Sequence, residues 1–483
     1  MSKFRPITST KLFSRIALLT PLLASCGNTF SSSNENTKTS TTELSSVSSL
    51  SSPHPNDLAS LLPYEAKKDT LKRRIFGYYP PADKAGVIAA KEAGITDLIA
   101  TPWACGYLEE RGEHYASMAQ EAGLNVFPYI GSKEALSQTD LFSPSWLKNQ
   151  SNVPGVYLCD EPFPDEMDQL AAQVDSFNQT LSNKTFLSCL LDPGGMAFTS
   201  RWPSSVSYDD YVNSYCEKVL DRLNGPKWLM GDTYPLSTLE GKPVIASHHL
   251  STLASWGAAA KMHGAEANVC LMADDAMIFE NPTIGSLRFQ ANACQAFGIQ
   301  HYTIYTVDTP PSGVEEYRKA MWQNGGKTSI YPLVKQLNDE NQAYAYLPLQ
   351  FRYDATTSLW PLALKQDDVG YRYEKAAITA LNALDKPEAH LNLANSNVLK
   401  TWESDVPSLL ARYVDANQNE AFFAMNYSSP HHTGNGFLTF SFERANHAIV
   451  LRSGQYYDFA LSSSELSLSL LAGEGAFILP YFA

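Results

Sequence analysis

Two adjacent carboxylates, Asp160 and Glu161, follow directly on a short apolar run from Gly155 to Cys159, and Pro162 comes immediately after them. The run reads as a buried strand that stops where the acids begin, because proline cannot continue a hydrogen-bonded ladder. Paired carboxyls at a strand end suit proton transfer: burial and a neighbouring like charge both disfavour ionisation and let one acid hold its proton near neutral pH. The plainer alternative is that both acids cap the loop and pair with a nearby Lys or Arg. Other polar residues close other apolar runs. They are Tyr78 and Tyr79, then Trp103, Asp192, the trio Asp232, Thr233 and Tyr234, the pair Asp274 and Asp275, and finally Tyr305 and Asp308. Carboxylates among aromatic rings are what sugar chemistry requires. The rings cover the apolar face of a pyranose, and two acids flank the scissile bond.

Something must bring these residues together. Apolar runs recur at 75–79, 97–101, 125–130, 155–159, 186–191, 228–231, 268–273 and 301–307. Helical spacing fills the gaps between them, for example at 165–182, 208–224 and 284–297, and a last helix around Tyr331 to Tyr346 closes the series. Gly94, Gly123, Gly264 and Gly298 each sit where a left-handed residue would end a helix ahead of the next strand. This rhythm predicts a (β/α)8 TIM barrel over residues 60–349, whose strand ends converge on one cleft. A doubly wound open sheet is the competing arrangement, but no glycine-rich phosphate loop follows the first strand.

Beyond residue 350 the texture changes. A polar, irregular stretch gives way to short alternating runs at 409–415, 421–427, 437–443, 448–452 and 466–471, punctuated by Asn417-Gln418-Asn419, Gly434-Asn435-Gly436 and Gly473-Glu474-Gly475. Residues 350–483 are therefore expected to form a connecting segment and an antiparallel β-sandwich. His431 and His432 read as solvated loop residues. The net charge is −14 and no long basic run occurs, which argues against a nucleic-acid partner. Seven cysteines lack zinc-site or disulfide spacing, and only His301 lies near a strand end, at the wrong one. No metal or other cofactor is expected.

The run GVYLCDEPFPDEMDQLA, with GDTYPL at 231–236 and NPTIGSLRFQANACQAFGIQHYTIYTV at 281–307, resembles bacterial glycoside-hydrolase-like barrels related to clan-A and β-galactosidase-like enzymes. The resemblance covers roughly residues 74–483 and implies hydrolysis of O-glycosidic bonds, with Glu161 as general acid/base. It also implies an Asn before that Glu and a nucleophilic Glu ending strand seven. Here Asp160 precedes Glu161, and strand seven ends Met272-Ala273-Asp274-Asp275 with no Glu before Glu280. Asp232, Asp274 and Asp275 remain as candidate partners, as do an inverting mechanism and a barrel that binds glycan without turnover. Tyr78, Tyr79, Trp103, Asp160, Tyr234, Asp275 and Tyr305 are the expected substrate-binding residues.

The N-terminus points to a location. Lys3, Arg5, Lys11 and Arg15 precede a short apolar segment from Ile16 to Ala24, the pattern of an export signal. It ends Leu23-Ala24-Ser25-Cys26, which resembles the lipobox of bacterial lipoproteins and implies cleavage before Cys26 and lipidation of that residue. Residues 27–59 are rich in Ser, Thr and Asn and read as a disordered tether. The expectation is an exported protein, lipid-anchored to a bacterial membrane at the outer membrane or cell surface. Its function is expected to be a glycoside hydrolase of oligo- or polysaccharides, or a non-catalytic carbohydrate-binding lipoprotein using the same cleft.

Overall fold

The computed structural model describes residues 56–57, 61, 63–64, 66–102, 111–196, 201–239, 242–274, 281–309, 319–361, 364 and 371–483. Cys26, Trp103 and Asp275 lie outside the described residues. Eight parallel strands close into a barrel: β1 (Ile75–Tyr78), β2 (Asp97–Ala100), β3 (Asn125–Gly131), β4 (Gly155–Asp160), β5 (Thr185–Leu190), β6 (Trp228–Asp232), β7 (Glu266–Met272) and β8 (His301–Tyr305). Each pairs with its sequence neighbours, and β8 returns to β1 through Ile75 opposite Tyr302 and Gly77 opposite Ile304.

Helices connect successive strands, as periodicity predicts. Among them are Met167–Leu181 after β4, His249–His263 after β6, Ile284–Ala296 after β7 and Tyr331–Ala343 after β8. The four predicted helix-ending glycines all adopt positive φ, between 63° and 86°. Between β6 and its helix the chain inserts a hairpin, Leu236–Leu239 with Lys242–Ile245, which periodicity did not predict.

The barrel interior is packed. Phe76, Ile99, Phe127, Leu187, Trp228 and Met230 form its lower layers, and Arg74 closes the base with its guanidinium over the rings of Phe76, Phe127 and Trp228. Arg74 also pairs with the buried Asp97. His301 belongs to this base, where it bonds Glu266 and accepts from the Arg74 backbone N–H.

The C-terminal region is two antiparallel sheets. The larger holds β9 (Arg352–Leu359), β11 (Ser408–Val414), β12 (Glu420–Asn426), β17 (Gly475–Tyr481), β14 (His447–Arg452) and β15 (Gln455–Ala460), in that spatial order. The smaller holds β10 (Leu399–Ser404), β13 (Asn435–Phe442) and β16 (Glu465–Leu471). The central strands β12 and β17 of the larger sheet are buried on both faces, while the edge strand β15 is exposed. Leu409, Ala411, Tyr413, Phe423 and Met425 join the barrel's outer core, while Leu410, Phe422 and Ala424 face the smaller sheet. This is the strict alternation of a pleated strand.

The stretch after residue 350, expected to be irregular, contains β9 and a helix, Arg372–Asn382. A register shift between Tyr353 and Ala355 breaks the alternation of β9. His432 is not simply solvated. Its ring stacks on Tyr371 at 4.1 Å and 9°, and its Nε2 lies 3.1 Å from the buried Glu374 carboxylate. Asn56, inside the stretch expected to be a tether, is 2% exposed and bonds the backbone of Glu420 and Pro480.

Candidate active site

The site is built on an irregularity in β4. From Tyr157, which faces the barrel interior, strict alternation would aim Cys159 inward and Asp160 outward. One extra residue intervenes instead. Tyr157 stands opposite Leu187, and Asp160 stands opposite Cys189. Leu158 and Cys159 both pack into the outer core, and Cys159 takes a left-handed φ of 63°. A β-bulge of this kind re-aims the side chain that follows it. It turns Asp160 inward onto two tyrosines: the Tyr78 hydroxyl donates to Oδ2 at 3.2 Å, and the Tyr157 hydroxyl donates to Oδ1. Glu161 follows at φ 48°, its N–H bonded to the Cys189 carbonyl at 2.9 Å. Among the described residues neither acid pairs directly with a Lys or Arg, so loop-capping ion pairs do not account for them.

Asp232 ends β6, and hydrogen bonding from it is among the influences that favour the ionised form of Glu161. Among the described residues Asp232 Oδ1 accepts from no N–H or hydroxyl group. Burial pushes the Glu161 carboxyl up to about 7, with the charges of Asp160 and Asp192 adding to the effect and Lys133 and the Asp232 bond opposing it. Burial, then the Glu161 charge, pushes Asp232 well above the usual carboxylate range, and burial likewise raises Asp160. Each acid is raised by burial, and the Glu161 charge raises Asp232 further, so ionising both together is disfavoured.

Asp192, which follows β5, flanks the pair. It accepts from the Gly195 N–H at 2.8 Å and the Thr233 hydroxyl at 3.2 Å, and it contacts His248 Nε2 at 3.1 Å. His248 immediately precedes the helix His249–His263 and gave no signal in the sequence, because the hairpin that delivers it was not foreseen. Asp274 is fully buried at the end of β7, and the principal charges acting on Glu161 and Asp232 do not include it.

Tyrosine rings form a connected array across the mouth. Tyr129 stacks on Tyr157 at 5.2 Å, Tyr157 meets Tyr78 at 5.8 Å, Tyr78 meets Tyr305 at 5.6 Å, and Tyr305 meets Tyr234 at 5.5 Å. Tyr79 packs edge-on against Tyr78 at 4.8 Å. The expected residues Tyr78, Tyr79, Tyr234 and Tyr305 are thus brought together. Tyr129 and Tyr157 were missed because they lie inside strands, where an aromatic reads as core.

No protein-family model and no curated protein sequence matches this chain. Solved structures do match its architecture. A β-galactosidase from the psychrophilic Marinomonas ef1 aligns at 9% identity and TM-score 0.49, covering 84% of this chain and 100% of that one. A β-L-arabinopyranosidase from Geobacillus stearothermophilus aligns at 7% identity and TM-score 0.47, covering 87% and 98%. A β-galactosidase from Bacillus circulans sp. alkalophilus aligns at 10% identity and TM-score 0.45, covering 86% and 99%. The residue assignments in the cleft rest on the geometry of this chain alone.

Proposed function

We infer that this protein is a glycoside hydrolase in which Glu161 and Asp232 act as a pair across the barrel mouth. The observation that carries the reading is the placement of two buried acids, Glu161 after β4 and Asp232 at the end of β6, at the same barrel mouth as the tyrosine array, with Glu161 raised to about 7. The mechanism we propose is double displacement, in which the two carboxyls stand about 5–5.5 Å apart, rather than the inverting one at about 6.5–9.5 Å. In the form with Glu161 protonated and Asp232 ionised, Glu161 gives its proton to the departing glycosidic oxygen, and the Asp232 carboxylate attacks the anomeric carbon. Glu161 then takes a proton from the water that cleaves the glycosyl ester and regenerates both acids. The partly buried Tyr305 and Tyr234 offer ring surface to the sugar.

The lipobox-like Leu23-Ala24-Ser25-Cys26 supports export and anchoring through Cys26, which would hold the enzyme at a membrane where it meets polysaccharide from outside the cell. A screen of oligo- and polysaccharides with wild type and Glu161→Gln tests the catalytic reading. The variant should lose about 10²–10⁴-fold on natural glycans and far less on activated aryl glycosides, whose leaving group needs no proton. Equal turnover by both proteins on natural glycan would remove Glu161 from the acid role. Sugar binding without turnover by wild type would leave a binding protein.

A further inference from the structure

Beside the acid pair, three βα loops are clasped around one side chain. Phe163 lies two residues after Glu161, and its ring is held between two cations from different loops. Lys133 Nζ, from the loop after β3, sits 3.6 Å from the ring centroid, and the Arg201 guanidinium, from the loop after β5, sits at 4.3 Å. Glu166 ties the group together. Its carboxylate accepts the Phe163 backbone N–H at 2.7 Å, lies 2.9 Å from Arg201 and lies 3.8 Å from Lys133. Pro162 between them is tied down as well, since its carbonyl accepts the buried Tyr211 hydroxyl at 2.7 Å. The clasp therefore holds the turn that carries Glu161 at its left-handed φ of 48°. A non-glycine residue keeps such a conformation only where its surroundings over-determine it.

The two cations differ in what else they face. Arg201 is half-exposed and is neutralised by Asp165 and Glu166 together. Lys133 is three-quarters covered, and its charge reaches the buried acids Asp160 and Glu161.

We propose that Lys133 is a positioning residue for Glu161: through the Phe163 clasp it fixes the turn carrying that acid, and its ammonium is the cation that balances the carboxylates of the barrel mouth. This rests on the role assigned to Glu161 above. The groups that act most strongly on the Glu161 charge are Asp160 from its own strand, Asp192 from the β5 loop, Asp232 from β6 and Lys133 from the β3 loop. Of these four groups Lys133 is the cation, and its charge favours the ionised form of Glu161. The sign follows directly. Removing Lys133 makes Glu161 harder to ionise and moves its titration upward.

The test is a carboxyl titration with selectively 13C-labelled glutamate, the Glu161 resonance being the one that Glu161→Gln removes. Lys133→Met, which keeps the chain's apolar length over Phe163, should move the Glu161 midpoint up by roughly half to one pH unit, and the alkaline limb of kcat/KM should follow it. Lys133→Arg keeps both the charge and the ring contact and should restore the wild-type midpoint. If Lys133→Met destabilises the fold, Lys133→Gln gives the same reading of the missing charge. An unmoved Glu161 midpoint in a folded variant lacking the charge overturns the proposal, even if activity falls. The titration needs no turnover. A midpoint that moves in a protein inactive on every glycoside would sustain the role of Lys133 and remove the hydrolase reading.

Discussion

Glu161 is held where a carboxylate is costly, and that cost is measurable apart from catalysis. Its pKa is raised from the ordinary glutamate value of 4.5 to about 7, chiefly by burial. In the window between those values the folded protein binds a proton that the unfolded chain does not. Stability contributed by protonated Glu161 is therefore full below about pH 4.5 and lost as pH rises through about 7. Glu161→Gln removes this penalty. Thermal unfolding should show the variant more stable than wild type at pH 8, by up to about 3 kcal/mol, and little changed at pH 4.5. A variant less stable than wild type at pH 8 would contradict the buried-acid assignment. The same titration sets the activity profile: kcat/KM should decline as pH rises through about 7, as the acid loses its proton.

At the scale of elements, the position of Asp232 depends on the helix behind it. Gly231 precedes it in β6, and a Cβ there would come within 2.3 Å of the Trp256 ring on the helix His249–His263. The indole is buried and cannot swing away. Gly231→Ala should cost about 1–3 kcal/mol by overpacking and displace Asp232, so that activity falls more than the loss of folded protein explains. Measuring kcat at a temperature where circular dichroism shows the variant fully folded separates the two effects. Adjacent residues of β12 in the larger sheet allow a second comparison. Phe422 faces the smaller sheet and Phe423 the barrel. Either residue cut to Ala should lower stability by about 3–5 kcal/mol.

For the whole molecule, the barrel and the larger sheet share one continuous core, which runs from Ile75 and Leu253 through Tyr413 and Phe477. Polar ties cross the same seam: His249 to the Tyr427 hydroxyl at 3.1 Å, and the Asn292 amide to the Gly473 carbonyl at 2.9 Å. Calorimetry of the full chain should show a single cooperative transition for both parts, and residues 60–350 produced alone should be insoluble or lack fixed tertiary packing. Two well-separated transitions would show that the seam is weak. At the same scale belongs the proposed anchor. Cys26→Ser should abolish lipid labelling in the native host and release the protein from the membrane fraction, and unchanged fractionation would remove the lipoprotein reading.

What could be read from the chain by itself was whatever repeats along it. Eight apolar runs with helical spacing between them, and glycines at helix ends, are local signals with periods of two and 3.6 residues, and they dictated the barrel and the convergence of Asp160, Glu161, Asp192 and Asp232 at its mouth. Alternation likewise revealed the five regular strands β11, β12, β13, β14 and β16. It did not reveal β17, Gly475–Tyr481, which like β12 is buried at every position. Among the described residues, the tertiary structure singles out Asp232 over Asp274 as the carboxylate acting on Glu161. Asp232, Asp274 and Asp275 are equivalent as residue types at strand ends, and the choice depends on barrel radius, strand stagger and the β4 bulge, none of which leaves a periodic trace. The same bulge aims Asp160 at Tyr157, three residues before it in the chain. It exists because Cys159 accepts a left-handed φ among the packed residues of the outer core, a condition set by neighbours distant in sequence.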